Sequence, residues 1–88
     1  MLDYLFGSKL RAKALAWLFT HPDERFFVRQ LSSLINENST NVSRELARLY
    51  DLGILTFRSE GRQKYYQANK NSAIFHELHS LITKASGI

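Results

Sequence analysis

The sequence predicts a mainly α-helical fold with one small β-hairpin, an α+β class, in the order helix, short strand, helix, helix, hairpin, helix. Apolar residues recur at helical spacing in four segments of the chain. Two β-rich runs flank a glycine in the second half, and a polar stretch interrupts the helical pattern near the middle. Because 88 residues suffice for one hydrophobic core, we expect a single domain, residues 1–88.

The first helix is predicted from Lys9 to near Thr20. Ser8 can cap its start, and Pro22 disfavours helical geometry just beyond its end. The apolar positions follow at i, i+4, i+7 and i+8, and they are Leu10, Ala14, Trp17 and Leu18. This spacing indicates an amphipathic helix.

A second, short helix and a third one are predicted around a polar turn. Phe26 and Phe27 form a short apolar step, after which helical spacing returns at Val28, Leu31, Leu34 and Ile35. The stretch 36–40 (NENST) favours a turn, and Ser39 or Thr40 can cap the helix that follows. We expect the third helix from about Thr40 to Leu52, with Gly53 as a left-handed C-cap and with apolar positions at Val42, Leu46, Leu49 and Tyr50.

A hairpin and a last helix complete the pattern. The β-rich runs 54–58 and 64–68 flank Gly61 and predict a hairpin with a basic tip. Within it, Tyr65 and Tyr66 should face opposite sides, with one packed inward. The last helix, capped by Asn71 or Ser72, should reach about Lys84 and carry an apolar stripe of Ile74, Phe75, Leu78, Leu81 and Ile82.

Two short helices joined by a polar turn and followed directly by a hairpin are typical of a winged helix-turn-helix domain. The segment 28–69 resembles the winged-helix regulators of the ArsR-like and MarR-like group, and the likeness spans about residues 8–82. Its most specific part is the succession STNVSRELARL, then LGIL, then GRQKYY. The resemblance implies a dimeric repressor of promoter DNA. In some members a closely similar module is one part of a longer chain.

Polar residues on the third helix are the candidates for reading DNA sequence, because a recognition helix contacts bases mainly through its N-terminal residues. The candidate residues are Ser39, Thr40, Asn41, Ser43, Arg44 and Arg48. We expect Arg44 to pair with guanine and Asn41 with adenine. The three hydroxyl side chains are expected to bond to phosphates.

The charge balance favours a nucleic-acid partner and locates the attraction outside the third helix. Twelve Lys and Arg against eight Asp and Glu give a net charge of +4. However, Glu37, Glu45 and Asp51 leave residues 36–52 slightly negative, so phosphate attraction must come from elsewhere. The candidates are Arg58, Arg62 and Lys64 of the hairpin and Lys9, Arg11 and Lys13 of the first helix. Arg62, beside the turn glycine, could reach a minor groove.

Several function classes are disfavoured by what the sequence contains. It has no cysteine, which excludes disulfides, cysteine-ligated zinc and thiol redox sensing in this chain. The first residues do not form a signal peptide, and no run approaches the roughly 18 apolar residues of a membrane helix. We therefore expect a cytoplasmic protein without membrane contact. Nucleophile-elbow, phosphate-loop and metal-binding motifs are absent, so we expect no enzyme activity and no cofactor.

Surplus apolar surface on the first and last helices predicts a homodimer. The predicted interface residues are Leu2, Leu5, Phe6, Phe75, Leu78, Leu81 and Ile82. Two other interpretations of the function stay open, and so does the existence of an unidentified effector or partner protein. His76 and His79, spaced i, i+3, suggest a metal-responsive repressor completed by a partner chain. The domain could also serve protein assembly or be the DNA-binding part of a larger assembly, because a fold does not determine its function.

Overall fold

A computed structural model describes residues 6–85 and confirms the predicted order of elements. In chain order, the elements are α1 (Lys9–Thr20), β1 (Phe26–Phe27), α2 (Val28–Ile35), α3 (Ser39–Asp51), β2 (Leu55–Glu60), β3 (Gln63–Ala68) and α4 (Phe75–Ala85). Ser8 caps α1 as predicted, since its hydroxyl accepts a hydrogen bond from the Arg11 amide at 3.2 Å.

The turn between α2 and α3 is built by two asparagines. Asn36 ends α2 in the left-handed conformation, with φ of 56°, which asparagine tolerates better than most residues. Asn38 then caps α3, because its side-chain oxygen accepts from the Asn41 amide at 3.1 Å. The cap therefore precedes Ser39 and Thr40, and both hydroxyls that the sequence offered as caps lie within the helix. Gly53 has the predicted positive φ, 79°.

The inner side of α3 differs from the predicted apolar stripe at its two edges. Val42, Leu46 and Leu49 are buried as predicted, but Tyr50 is 46% exposed. At about 100° per residue, Tyr50 lies roughly 80° from Val42, at the margin of the stripe, and its ring packs against Phe57. On the opposite margin, the carboxylate residue Glu45 is buried. The stripe is therefore shifted towards Glu45.

The hairpin joins β1 in a three-stranded antiparallel sheet in the order β1-β3-β2. The strands β2 and β3 are closed by Gly61 and Arg62, with Gly61 at a φ of 59°. The two tyrosines face opposite sides, as predicted: Tyr66 is buried and its ring lies 5.2 Å from that of Phe57, whereas Tyr65 contacts Phe27 on the other side. The hairpin is thus anchored through the inner side of β3.

The apolar residues of α4 are mostly used within the protein's own core. Phe75 and Ile82 are 8% and 0% exposed and belong to the core cluster, so they are not available as a dimer surface and the prediction for them is corrected. Leu78 is half-buried, whereas Leu81 is 40% exposed. Ile74 precedes the helix and is also exposed.

The N-terminal part of the predicted dimer surface is only partly covered by the structure. Phe6 is half-buried against the core, and Leu2 and Leu5 lie outside the described residues. Between residues 6 and 85, no helix is long and apolar enough to cross a membrane.

Candidate nucleic-acid interface

The outer side of α3 presents the predicted polar residues to solvent. Five of the six are exposed and one, Ser43, is half-buried; the exposed ones are Ser39, Thr40, Asn41, Arg44 and Arg48. Among the ion pairs within residues 6–85, none engages Arg44. Its guanidinium group therefore keeps its full hydrogen-bonding capacity for a ligand. The five N–H donors of this group suit a guanine edge or a phosphate.

The acidic residues near α3 are compensated by α1. Glu45 is 7% exposed, and its Oε2 accepts a hydrogen bond from Arg11 Nε at 2.8 Å. Glu37 Oε2 lies 2.8 Å from Lys13 Nζ, which also donates to the Ile35 carbonyl at 3.2 Å. The slightly negative segment that the sequence suggested is therefore neutralised by neighbouring cations, and the outer side of α3 stays cationic.

This pairing divides the basic residues of α1 into two groups. Arg11 and Lys13 are turned towards the helix-turn-helix unit and engaged there. Lys9 is exposed and has no ion-pair partner among residues 6–85. Of the first-helix residues expected to attract phosphates, Lys9 has the charge most available to a ligand.

The hairpin carries three exposed cations, Arg58, Arg62 and Lys64. Its acidic residue, Glu60, is paired with Arg25, whose guanidinium carbon also lies 4.1 Å from the centre of the Tyr65 ring. The hydrogen bond from Arg25 lowers the pKa of the Glu60 carboxyl. No ion pair within the described part of the chain involves the three cations, so the hairpin presents a positive surface.

One further cation was missed in the sequence. Arg29 is exposed on α2, the first helix of the helix-turn-helix unit, and is unpaired within residues 6–85. The first helix of such a unit crosses the phosphate backbone. A basic residue on the polar side of that helix was the signal that could have identified it.

Neither histidine of α4 has a metal-binding cluster around it in the described chain. His79 stacks on Phe75 with ring centres 5.5 Å apart, and His76 meets the same ring edge-on. Residues 6–85 contain no group of three or more His, Cys, Asp or Glu side chains that could hold a metal ion. A site shared between the two histidines would need ligands from elsewhere.

Comparisons with known proteins identify the fold. No protein-family model matches the sequence, and no curated protein matches it. Among solved structures, reduced HlyU from Vibrio cholerae N16961 is similar with a TM-score of 0.70 and 22% identity, covering 92% of this chain and 77% of HlyU. A possible transcriptional regulatory protein (fragment 1-100) from Mycobacterium bovis has a TM-score of 0.65 and 21% identity, with 86% of this chain and 80% of that chain covered.

A third similar structure is the AntR antimony-specific transcriptional repressor, with a TM-score of 0.63 and 20% identity over 88% of this chain and 70% of AntR. Likeness at these identities concerns the backbone arrangement. It shows that the chain has the winged helix-turn-helix fold, in which α2 and α3 form the helix-turn-helix unit and β2 and β3 form the wing.

Proposed function

We propose that this winged helix-turn-helix chain is a cytoplasmic transcription regulator that binds double-stranded DNA sequence-specifically and acts as a dimeric repressor. One observation carries the proposal. The N-terminal half of α3 has an exposed polar side with an arginine, Arg44, that has no ion-pair partner within residues 6–85, and the cationic hairpin follows the helix-turn-helix unit as its wing. A helix with this arrangement fits the major groove of B-form DNA.

The contacts divide into those that read bases and those that bind the backbone. Arg44 offers two parallel donors to guanine O6 and N7, and Asn41 matches the adenine edge. Ser39, Thr40 and Ser43 lie at the positive end of the α3 dipole, where they can bond to phosphates. Arg58, Arg62 and Lys64 on the wing, with Lys9 and Arg29, supply attraction that does not depend on sequence.

Repression and dimerisation extend this proposal. AntR is described as a transcriptional repressor, and its likeness to this chain supports the same role here. The predicted interface residues that remain available are exposed Leu81 and half-buried Leu78 of α4, together with half-buried Phe6. A symmetric dimer would place two α3 helices in successive major grooves, about 10 base pairs apart.

Selection of bound sites from a random pool of duplexes tests the proposal. We expect enrichment of a near-palindromic site with half-sites about one helical turn apart, and binding that weakens steeply with salt. Sedimentation should detect a dimer at about tens of micromolar, where a weak dimer forms. Transcription in vitro from a promoter overlapping the selected site should fall when the protein is added.

The same experiment addresses the protein-assembly alternative. A module that serves only protein assembly shows no salt-sensitive duplex binding, and its Arg44→Ala variant behaves like the unmodified chain. A matched variant, Lys84→Ala, removes an exposed cation from the last turn of α4, a helix that packs against α1. Equal affinities of the Arg44→Ala and Lys84→Ala variants for the selected site would contradict the role of Arg44.

A further inference from the structure

The recognition helix α3 carries a buried carboxylate that the proposed DNA contacts do not use. The Glu45 side chain is 8% exposed, and burial of a charged carboxylate is unfavourable unless it is paired and hydrogen-bonded. Its partner is Arg11 of α1, with Nε 2.8 Å from Oε2. Arg11 Nη1 donates in addition to the Phe6 carbonyl at 3.0 Å. The guanidinium group is therefore held at two of its nitrogens.

The position of Glu45 on α3 couples this pair to the polar outer side of the helix, where Arg44 and Arg48 lie. Glu45 directly follows Arg44, and the second oxygen of its carboxylate, Oε1, lies 4.0 Å from Arg48 Nη1. The apolar contacts of Val42, Leu46 and Leu49 hold α3 against the core, but apolar burial has no directional preference. A charge-assisted hydrogen bond does have one. It can therefore define how far α3 is rotated about its own axis.

A second ion pair from the same helix holds the start of the turn. Lys13 Nζ donates to the Ile35 carbonyl at the end of α2 and to Glu37 in the turn. Arg11 thus connects α1 to the middle of α3, and Lys13 connects α1 to the turn between α2 and α3. Two separated attachments restrain rotation and tilt more than one attachment can.

We propose that Arg11 and Glu45 form a positioning pair, which sets the rotation of α3 relative to α1 and thereby the base selectivity of Arg44. Neither residue contacts DNA in this arrangement. The inference rests on the proposed function for its effect on selectivity. Its structural part, that the pair restrains α3, applies to the free protein as well.

Two substitutions separate positioning from a simple effect of charge. Arg11→Gln lowers the formal net charge from +4 to +3, and Glu45→Gln raises it from +4 to +5. If the pair mattered only through charge, the two variants would shift affinity for all duplexes in opposite directions. If the pair positions α3, both variants lose selectivity, because the directional contact is lost in each.

The measurement is fluorescence anisotropy with the selected duplex and a scrambled duplex at one salt concentration. We expect the ratio of the two affinities to fall about tenfold, equivalent to about 1.4 kcal/mol, in both variants. The controls are Lys84→Gln and Glu77→Gln, which make the same two charge changes at exposed positions of α4. These controls should keep the wild-type ratio. An unchanged ratio in Arg11→Gln and Glu45→Gln overturns the proposal.

Two further measurements keep folding and DNA binding distinct from positioning. Thermal unfolding identifies a temperature at which every variant is folded. A double variant that exchanges the two residues, Arg11→Glu with Glu45→Arg, should recover part of the lost selectivity. Hydrogen exchange of amides 39–51 in the free protein should be faster in Glu45→Gln than in Glu77→Gln. Equal exchange rates in these two variants overturn the proposal, whether or not the unmodified chain binds duplexes. Absence of duplex binding by the unmodified chain overturns the proposed function instead, and the exchange result still decides whether the pair restrains α3.

Discussion

The helix α3 and the wing each contain a glutamate paired with an arginine from outside the element, but the two pairs differ in burial. The Glu45 side chain of α3 is 8% exposed, whereas the Glu60 side chain of β2 is 47% exposed. A buried, directional pair restrains geometry, and an exposed pair is weakened by water and by salt. The comparison indicates that the pair on α3 restrains its helix more than the exposed pair restrains the wing.

Apolar anchoring follows the same division. The α3 helix buries Val42, Leu46 and Leu49 in the core. In β2, only Leu55 is buried, and the residues from Thr56 to Glu60 are exposed. The outer part of the wing is therefore held mainly by its hydrogen bonds to β3. Substitutions in the two elements should differ accordingly.

The largest expected effect is on the core side of α3. Leu46→Ala should lower the free energy of unfolding by about 2–5 kcal/mol, because it removes a fully buried side chain and leaves a cavity. Leu52→Ala, at a position 67% exposed, should change it by about 0.5 kcal/mol or less. Urea denaturation measures both values, provided that the slope of the unfolding free energy against urea concentration is the same in each variant. Similar losses in the two variants would mean that α3 is not anchored at Leu46.

The next effect separates reading from attraction. Arg44→Ala should lose about 1–3 kcal/mol of discrimination between the selected and the scrambled duplex, because a two-pronged contact to one base is removed. Arg62→Ala on the wing should weaken all duplexes alike and reduce the slope of log affinity against log salt by about 1. A salt titration on both duplexes measures the two quantities. Identical behaviour of the two variants would remove the distinction between α3 and the wing.

A smaller effect is expected at the start of α3. Asn38→Ala should lower the free energy of unfolding by about 1 kcal/mol, because the Asn41 amide loses its capping acceptor. Asn38→Ser retains an acceptor and serves as the control. Thermal denaturation compares the three proteins. If alanine and serine destabilise equally, the hydrogen bond of the cap does not contribute to the stability of α3.

The smallest effect is expected from the exposed pair of the wing. The hydrogen bond from Arg25 lowers the pKa of Glu60 below its ordinary value of 4.5. The ion pair therefore stabilises the folded protein fully at a pH above 4.5. It is lost as the pH falls through the lower pKa of the folded state. Arg25→Gln should remove this contribution, so the difference in melting temperature between the two proteins should shrink from about pH 6 to about pH 3. A difference that is equally large at both pH values, or insensitive to salt, would contradict the assignment.

The local structure of this chain was predictable because its signals lie within a few residues of each other. Ser8 before α1, the 36–40 turn and Gly53 after α3 all act on neighbouring backbone groups. The hairpin around Gly61 and the opposite facing of its tyrosines follow from similarly short spacings. Exposure of Arg44 followed from the helical repeat alone.

Other features depended on partners far away in the chain. Arg11 and Lys13, expected to attract phosphates, instead neutralise acids that lie 34 and 24 residues further on. Phe75 and Ile82, expected at a dimer interface, fill the protein's own core. The periodicity of a helix shows that it has an apolar side, but it does not show which surface covers that side.

The amino-acid sequence alone therefore determined the elements, their order, the position of the polar turn and the polar side of α3, because these depend on backbone preferences and helical spacing. Only the tertiary structure decided which cations remain free for a ligand and which are paired across helices. The physical reason is that an ion pair requires two side chains within a few ångströms. That proximity is produced by the packing of α1 against α3 and not by their separation along the chain.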